Sequence, residues 1–327
     1  MRLSLWALAL SSNLFFAATA AAQDRLVFVV DVIRHGDRTP LIDLPAVHHV
    51  WPQGLGQLTP AGMRQEAELG ARLRSVYVDQ QGLLPPSYTP GTMSVRSTDM
   101  DRTLMSAESF LMGLYPAQPV PIHTLPISGD TLLNPEAAGN KLDEALAREQ
   151  SWKDLSSRLQ PRFASWSRAT GMAITTVDQL IFLRDTLMID QRYHVPLPQA
   201  LSEEDIQMIL DEGSRIFLEK FSLTAPSTGR ELLQTIAKDM QQAGQEKSPL
   251  RYVLFFAHDT TLISQMSVLQ APLSSTPPYA SRLNFALLDT GRKGFAIKVF
   301  YNDQPVKIPA CGGTSCSLAQ FAALAGQ

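Results

Sequence analysis

Two runs of β-branched and aromatic residues, Leu26-Val27-Phe28-Val29-Val30 and Tyr252-Val253-Leu254-Phe255-Phe256, lie more than two hundred positions apart, and each leads into charge and histidine. Runs of this kind fill strands covered on both faces, as in a parallel sheet. The first ends in Arg34-His35-Gly36-Asp37-Arg38-Thr39-Pro40 and the second in Ala257-His258-Asp259. In open α/β sheets ligands bind beyond the carboxyl ends of strands, so the two loops are expected at one site.

The sequence between them supplies helices and short strands. Thr59-Pro60 offers an N-cap followed by proline at the first helical position, and Leu69, Leu73 and Val76 follow at helical spacing, which predicts a helix to about Gln80. Thr92 to Val95 reads as a short strand ending at Arg96. The next helix starts near Thr98 or Asp99, with Leu104, Ala107, Phe110, Leu111 and Leu114 on one face. From about Gly129 to Phe221 the pattern is helical, with Ser202-Glu203-Glu204-Asp205 opening one helix in capping-box style. Leu283 to Asp289 and Phe295 to Tyr301 are two strands joined by a Gly-containing hairpin turn. The expected fold is therefore α/β: a three-layer core with a mostly parallel central sheet flanked by helices, plus a smaller inserted helical cap lobe. The core is assigned to residues 23–128 and 222–327 and the lobe to 129–221.

Residues 1–22 read as a signal peptide: Arg2, an apolar run, then alanines. The apolar run is shorter than the ~20 residues a membrane span needs, so export rather than stable membrane insertion is expected, to a periplasm or the extracellular space. In an exported chain the two cysteines, Cys311 and Cys316, suggest a disulfide; without a second Cys or His pair they make a poor zinc site. A net charge of −3 gives no footprint for nucleic acid. His48 and His49 read as loop residues near the mouth of a site, and His123 and His194 as structural.

Three stretches together carry a resemblance: Arg34-His35-Gly36-Asp37-Arg38-Thr39-Pro40, then Arg96-Ser97-Thr98-Asp99-Met100-Asp101-Arg102-Thr103, then His258-Asp259-Thr260-Thr261. In this order they are similar to the successive signatures of the histidine acid phosphatases. Gly56-Gln57-Leu58-Thr59, Pro277-Pro278-Tyr279-Ala280-Ser281 and Cys316-Ser317-Leu318 agree with it. The resemblance implies that His35 is a nucleophile whose second ring nitrogen is held by a backbone carbonyl of its loop. It implies Arg34, Arg38 and Arg96 as a phosphate cradle, His258 as a further donor and Asp259 as general acid. It also implies phosphomonoester hydrolysis through a phosphohistidine intermediate, no metal or other cofactor, and a possible homodimer. The helical lobe is compact and carries no concentration of lysines and arginines, which favours small phosphomonoester substrates.

The chemistry suits these residue types. Phosphomonoester hydrolysis needs an in-line nucleophile, positive charge for the equatorial oxygens and a proton for the departing alkoxide. Guanidinium groups bind phosphate oxygens in bidentate fashion at any working pH. A protonated Asp259 for the first step predicts an acidic optimum. Asp37 matches the motif but reads equally as an ion-pair partner of a nearby arginine, so it stays outside the catalytic set. Asp99-Met100-Asp101-Arg102-Thr103 also fits the D-x-D-x-T outline of haloacid-dehalogenase phosphatases, but no long apolar strand directly precedes it. The alternatives are a phytase-type relative, which must admit a large polyanion, and a catalytically silent phosphate-binding protein.

Overall fold

The computed structural model describes residues 24–245, 249–291 and 294–326. The expected leader, residues 1–22, lies outside the described residues. β1 (Arg25–Arg34), α1 (Pro60–Arg74), β2 (Met93–Ser97) and α2 (Asp101–Leu114) open the chain. The helices α3 (Asn140–Leu146), α4 (Gln150–Thr170), α5 (Asp178–Arg192), α6 (Glu203–Leu223), α7 (Ala225–Thr228) and α8 (Arg230–Gly244) follow. Then come β3 (Tyr252–Ala257), α9 (Asp259–Val268), β4 (Arg282–Asp289), β5 (Phe295–Tyr301), β6 (Gln304–Pro305), β7 (Cys316–Ser317) and α10 (Leu318–Gly326).

The strands form one sheet in the order β2-β3-β1-β4-β5-β6, with β7 also paired to β5. Because side chains alternate along a strand, β1 serves two cores. Val29 and Ile33 face Leu69 and Leu73 of α1 and Phe110 and Leu114 of α2. Val30 and Val32 face Ile236 and Met240 of α8 and Phe321 of α10. The sheet is thus sandwiched between two helical layers. A third apolar cluster, including Trp152, Trp166, Leu180, Leu187, Ile209 and Ile216, joins α4, α5 and α6 away from the sheet. Ser202 caps α6 as expected, its Oγ accepting from the Asp205 amide at 3.1 Å.

One expectation is corrected. The sheet is mixed rather than mostly parallel: β1–β3 and β2–β3 are parallel, whereas β1–β4, β4–β5, β5–β6 and β5–β7 are antiparallel. A parallel neighbour needs a long crossover, but only a short turn separates β4 from β5, so they must pair as a hairpin. Strand β1 runs to Arg34 through a wholly buried Asp31. That carboxylate is tolerated because Arg282 Nη1 (3.1 Å), Tyr252 Oη (2.6 Å) and Asn284 Nδ2 (2.8 Å) all donate to it. The expected disulfide is present, joining Cys311 to Cys316 with a Cα–Cα distance of 5.2 Å.

Candidate active site

The carboxyl ends of β1 and β3 are in register, with Arg34 opposite Ala257, so His35 and His258 leave the sheet side by side. Their ring centroids are 5.7 Å apart. The loop after β1 lies on the first turn of α1. A Cβ on Gly36 would fall 2.4 Å from the Gly62 carbonyl oxygen, so only glycine permits this approach. The Gly36 amide in turn donates to Ser106 Oγ of α2 at 3.1 Å.

His35 is buried, and its Nδ1 lies 2.8 Å from the Gly36 carbonyl oxygen. A carbonyl can only accept, so Nδ1 carries the proton and the Nε2 lone pair is left for chemistry. Burial, then the charges of Arg102, Arg34, Arg38 and His258, hold the His35 pKa well below the usual histidine value. The ring is therefore neutral. His258 is depressed in the same way, by burial and then by Arg102, Arg38 and Arg34. Its Nε2 is 3.0 Å from Thr98 Oγ1.

The cavity beyond the strand ends is lined by His35, Arg38, Arg102, His258 and Asp259, among other residues. Arg38 is gripped by Asp185 of α5 through two bonds of 2.8 and 3.0 Å. Burial works most strongly against its charge, but Asp185, Tyr279 and Asp259 together outweigh burial and its pKa is raised. Arg34 pairs with Asp259 at 2.7 Å and stacks on the Tyr279 ring, 4.1 Å from its centroid. Tyr279 arrives on the chain between α9 and β4, fixed where the Ala280 amide donates to the His35 carbonyl oxygen at 3.2 Å.

Arg96 does not join this group. Along β2, Met93 and Val95 point into the core beneath α1 and α2. Alternation turns Arg96 to the opposite side, where its Nη2 donates to the buried Asp130 carboxylate. Arg102, in the first turn of the helix that follows, lines the cavity instead. It has no carboxylate partner among the described residues, and burial, then repulsion from Arg38, brings its pKa down to about 10. Asp37 faces away from the reaction centre, accepting from Thr59 Oγ1 at 2.8 Å, Arg192 Nη1 at 2.5 Å and the Tyr193 hydroxyl. It ties the histidine loop to the end of α5. His49 packs edge-on against Trp51, and Trp51 against Tyr193, beside this tie.

Residues 25–166 and 222–302 match the model of the histidine phosphatase superfamily (branch 2). The chain belongs to that family. Lysosomal acid phosphatase of Xenopus laevis is 34% identical, over 97% of this chain and 80% of its own length. Human prostatic acid phosphatase is 29% identical, over 95% of this chain and 88% of its own. With such full-length relatives, this member of the superfamily is a phosphatase enzyme. A Hafnia alvei phytase in complex with myo-inositol hexakis sulphate shares the fold with TM-score 0.70 at 21% identity, covering 94% of this chain and 98% of that one.

Two of the residues gathered here were missed from the sequence: Arg102, although it lies in the second motif, and Asp185, which no motif marks. The signal for Arg102 was its place in the first turn of a helix that starts at a strand end. The sequence offered no comparable signal for Asp185, because α5 reaches the cavity only through its packing with α4 and α6.

Proposed function

We propose that the protein is an acid phosphatase that hydrolyses small phosphomonoesters through a phosphohistidine on His35, using guanidinium charge rather than a metal. The observation that carries this reading is the His35 ring: Nδ1 is pinned to the Gly36 carbonyl at 2.8 Å, and the ring lines a cavity shared with Arg38, Arg102, His258 and Asp259. Nε2 attacks phosphorus, the N–P bond forms and the P–O bond to the alcohol breaks. Asp259, protonated, gives its proton to the departing oxygen. Water then attacks phosphorus, Asp259 takes up a proton from it, and the N–P bond breaks to release phosphate. Arg34, Arg38 and Arg102 hold the equatorial oxygens, with His258 beside them. Arg102 thus takes the role first given to Arg96.

The cavity walls favour small organic esters over a polyanion such as an inositol hexakisphosphate. Leu41, Met100, Ile181, Phe182, Phe217 and Phe221 line it, and Lys220 is already paired with Asp178 at 2.6 Å. The lobe of residues 129–221 would shape that wall above a core of 23–128 and 222–327. The Cys311–Cys316 bond and the leader in residues 1–22 support export. A homodimer belongs to the same reading and is tested by sedimentation.

The decisive experiment is an alkaline-denaturant quench with [³²P]phosphoryl substrate, because phosphohistidine survives alkali and is lost in acid. We expect an acid-labile adduct on the wild-type protein and none on His35→Ala. An adduct retained in His35→Ala removes His35 as nucleophile, and turnover abolished by a chelator rules out the metal-free scheme.

A further inference from the structure

Of the four arginines and lysines lining the cavity, two already have a carboxylate: Arg38 pairs with Asp185 and Lys220 with Asp178. Arg102 and Arg184 do not, and Arg102 has its use in the phosphate cradle. Arg184 has none assigned. It projects from α5, is only 7% exposed, and forms no ion pair among the described residues. Two of its nitrogens are fixed by neutral hydroxyls, Nε on Ser214 Oγ at 3.0 Å and Nη2 on Thr276 Oγ1 at 2.9 Å. Nη1 has no hydrogen-bond partner among the described residues. Hydroxyls orient a guanidinium without neutralising it, and a buried cation left in that state is costly. Burial lowers its pKa, opposed most by Asp185 and then by Asp259.

The site is built rigidly. A Cβ on Gly213 of α6 would lie 2.5 Å from the Arg184 Cβ, so glycine there lets the two helices close on the arginine stem. The hydroxyl of Thr276 comes from the same inter-strand segment that carries Pro277 and Tyr279 to Arg34. The guanidinium is therefore held between the lobe and the core. Asp259, the group assigned to the leaving oxygen, is among the charges that act most on it. The other carboxylates of the cavity do not satisfy it: Asp178 and Asp185 are taken, Asp259 pairs with Arg34, and Glu136 forms no ion pair among the described residues.

We propose that Arg184 is a second anion subsite, and that the preferred substrates are phosphomonoesters whose alcohol carries a further carboxylate or phosphate within reach of its Nη1. The inference rests on the phosphatase reading for the word substrate, but its test is a binding measurement that does not depend on turnover. The probes are 3- and 4-carboxybenzylphosphonate, their neutral carbamoyl isosteres, and the xylylene bisphosphonates, titrated calorimetrically into the whole protein. For at least one ring position the charged probe is expected to bind about tenfold tighter than its amide, the scale of a charge-assisted hydrogen bond. In Arg184→Met that preference should fall to within about twofold, and Arg184→Lys should restore part of it. Which of the carboxylate and phosphonate probes binds tighter identifies the second group. Equal affinity of charged and amide probes for the wild-type protein overturns the proposal without any variant, as does a preference that survives in a folded Arg184→Met. Loss of turnover with the preference intact would instead count against the phosphatase reading alone.

Discussion

Arg34 Nη2 lies 2.7 Å from Asp259 Oδ2 in an ion pair that joins the residue just before the proposed nucleophile to the first residue of α9. In the proposed mechanism a phosphate takes over the Arg34 donors, the pair is broken and Asp259 is freed to serve the leaving oxygen. Asp259→Asn should therefore lower kcat for alkyl phosphates by about 10²–10⁴, the usual worth of a general acid, and cost much less with nitrophenyl phosphate, whose leaving group needs no proton. Steady-state rates over a series of leaving groups check this. A uniform loss across the series would mean that Asp259 only positions Arg34.

The two arginines of the second motif should separate cleanly. Arg102→Ala removes an unpaired guanidinium from the cavity and should lower kcat/KM by about 10²–10³ while leaving the fold intact. Arg96→Ala strips the buried Asp130 of its partner and should act on stability instead, by up to about 3 kcal/mol, with a smaller effect on turnover. Paired kinetics and thermal melts distinguish the roles. The reverse pattern would return Arg96 to the cradle.

These same residues show what a sequence can and cannot reveal here. Arg34, His35, Arg38, His258 and Asp259 were legible because they follow two strongly apolar strands, and chain direction alone puts the ends of parallel neighbours together. Arg96 misled because proximity to a strand end does not say which face a side chain takes, and alternation from Val95 turns it away. The antiparallel half of the sheet was implicit in the short link between β4 and β5, yet the apolar runs by themselves suggested parallel order. The partners that allow Asp31 to lie buried inside β1, Tyr252, Arg282 and Asn284, are more than two hundred residues away and no local pattern marks them. Arg184 and Asp185 were invisible for a similar reason, since only the docking of α5 on the core brings them to the cavity.

His35 and His258 are both held neutral in the folded protein, with pKa values depressed below 6.5. As pH falls through 6.5 the unfolded chain gains protons at these positions and the folded one does not, so their contribution to stability is lost downward from that value. His258→Asn removes one of these groups. The melting temperature of the wild type relative to His258→Asn should fall between pH 7 and pH 5, and a difference that stays constant with pH would show that folding does not depress the His258 pKa. The same neutrality predicts that kcat/KM does not collapse as pH drops through 6.5, since the nucleophile remains unprotonated.

Glu66 of α1 behaves in the opposite sense. It is wholly buried, neither carboxyl oxygen has a hydrogen-bond partner, and burial raises its pKa well above the usual glutamate value. The folded state therefore holds a proton that the unfolded chain releases near pH 4.5, and the stability this confers is lost as pH rises from there through the folded pKa. Glu66→Gln keeps the shape and cannot ionise. It should raise the melting temperature at pH 7 relative to the wild type, and the gain should shrink toward pH 4.5, where the wild-type carboxyl is protonated in both states. A variant that is less stable at pH 7 than at pH 4.5, relative to wild type, would mean that Glu66 is ionised in the fold and that its charge is used.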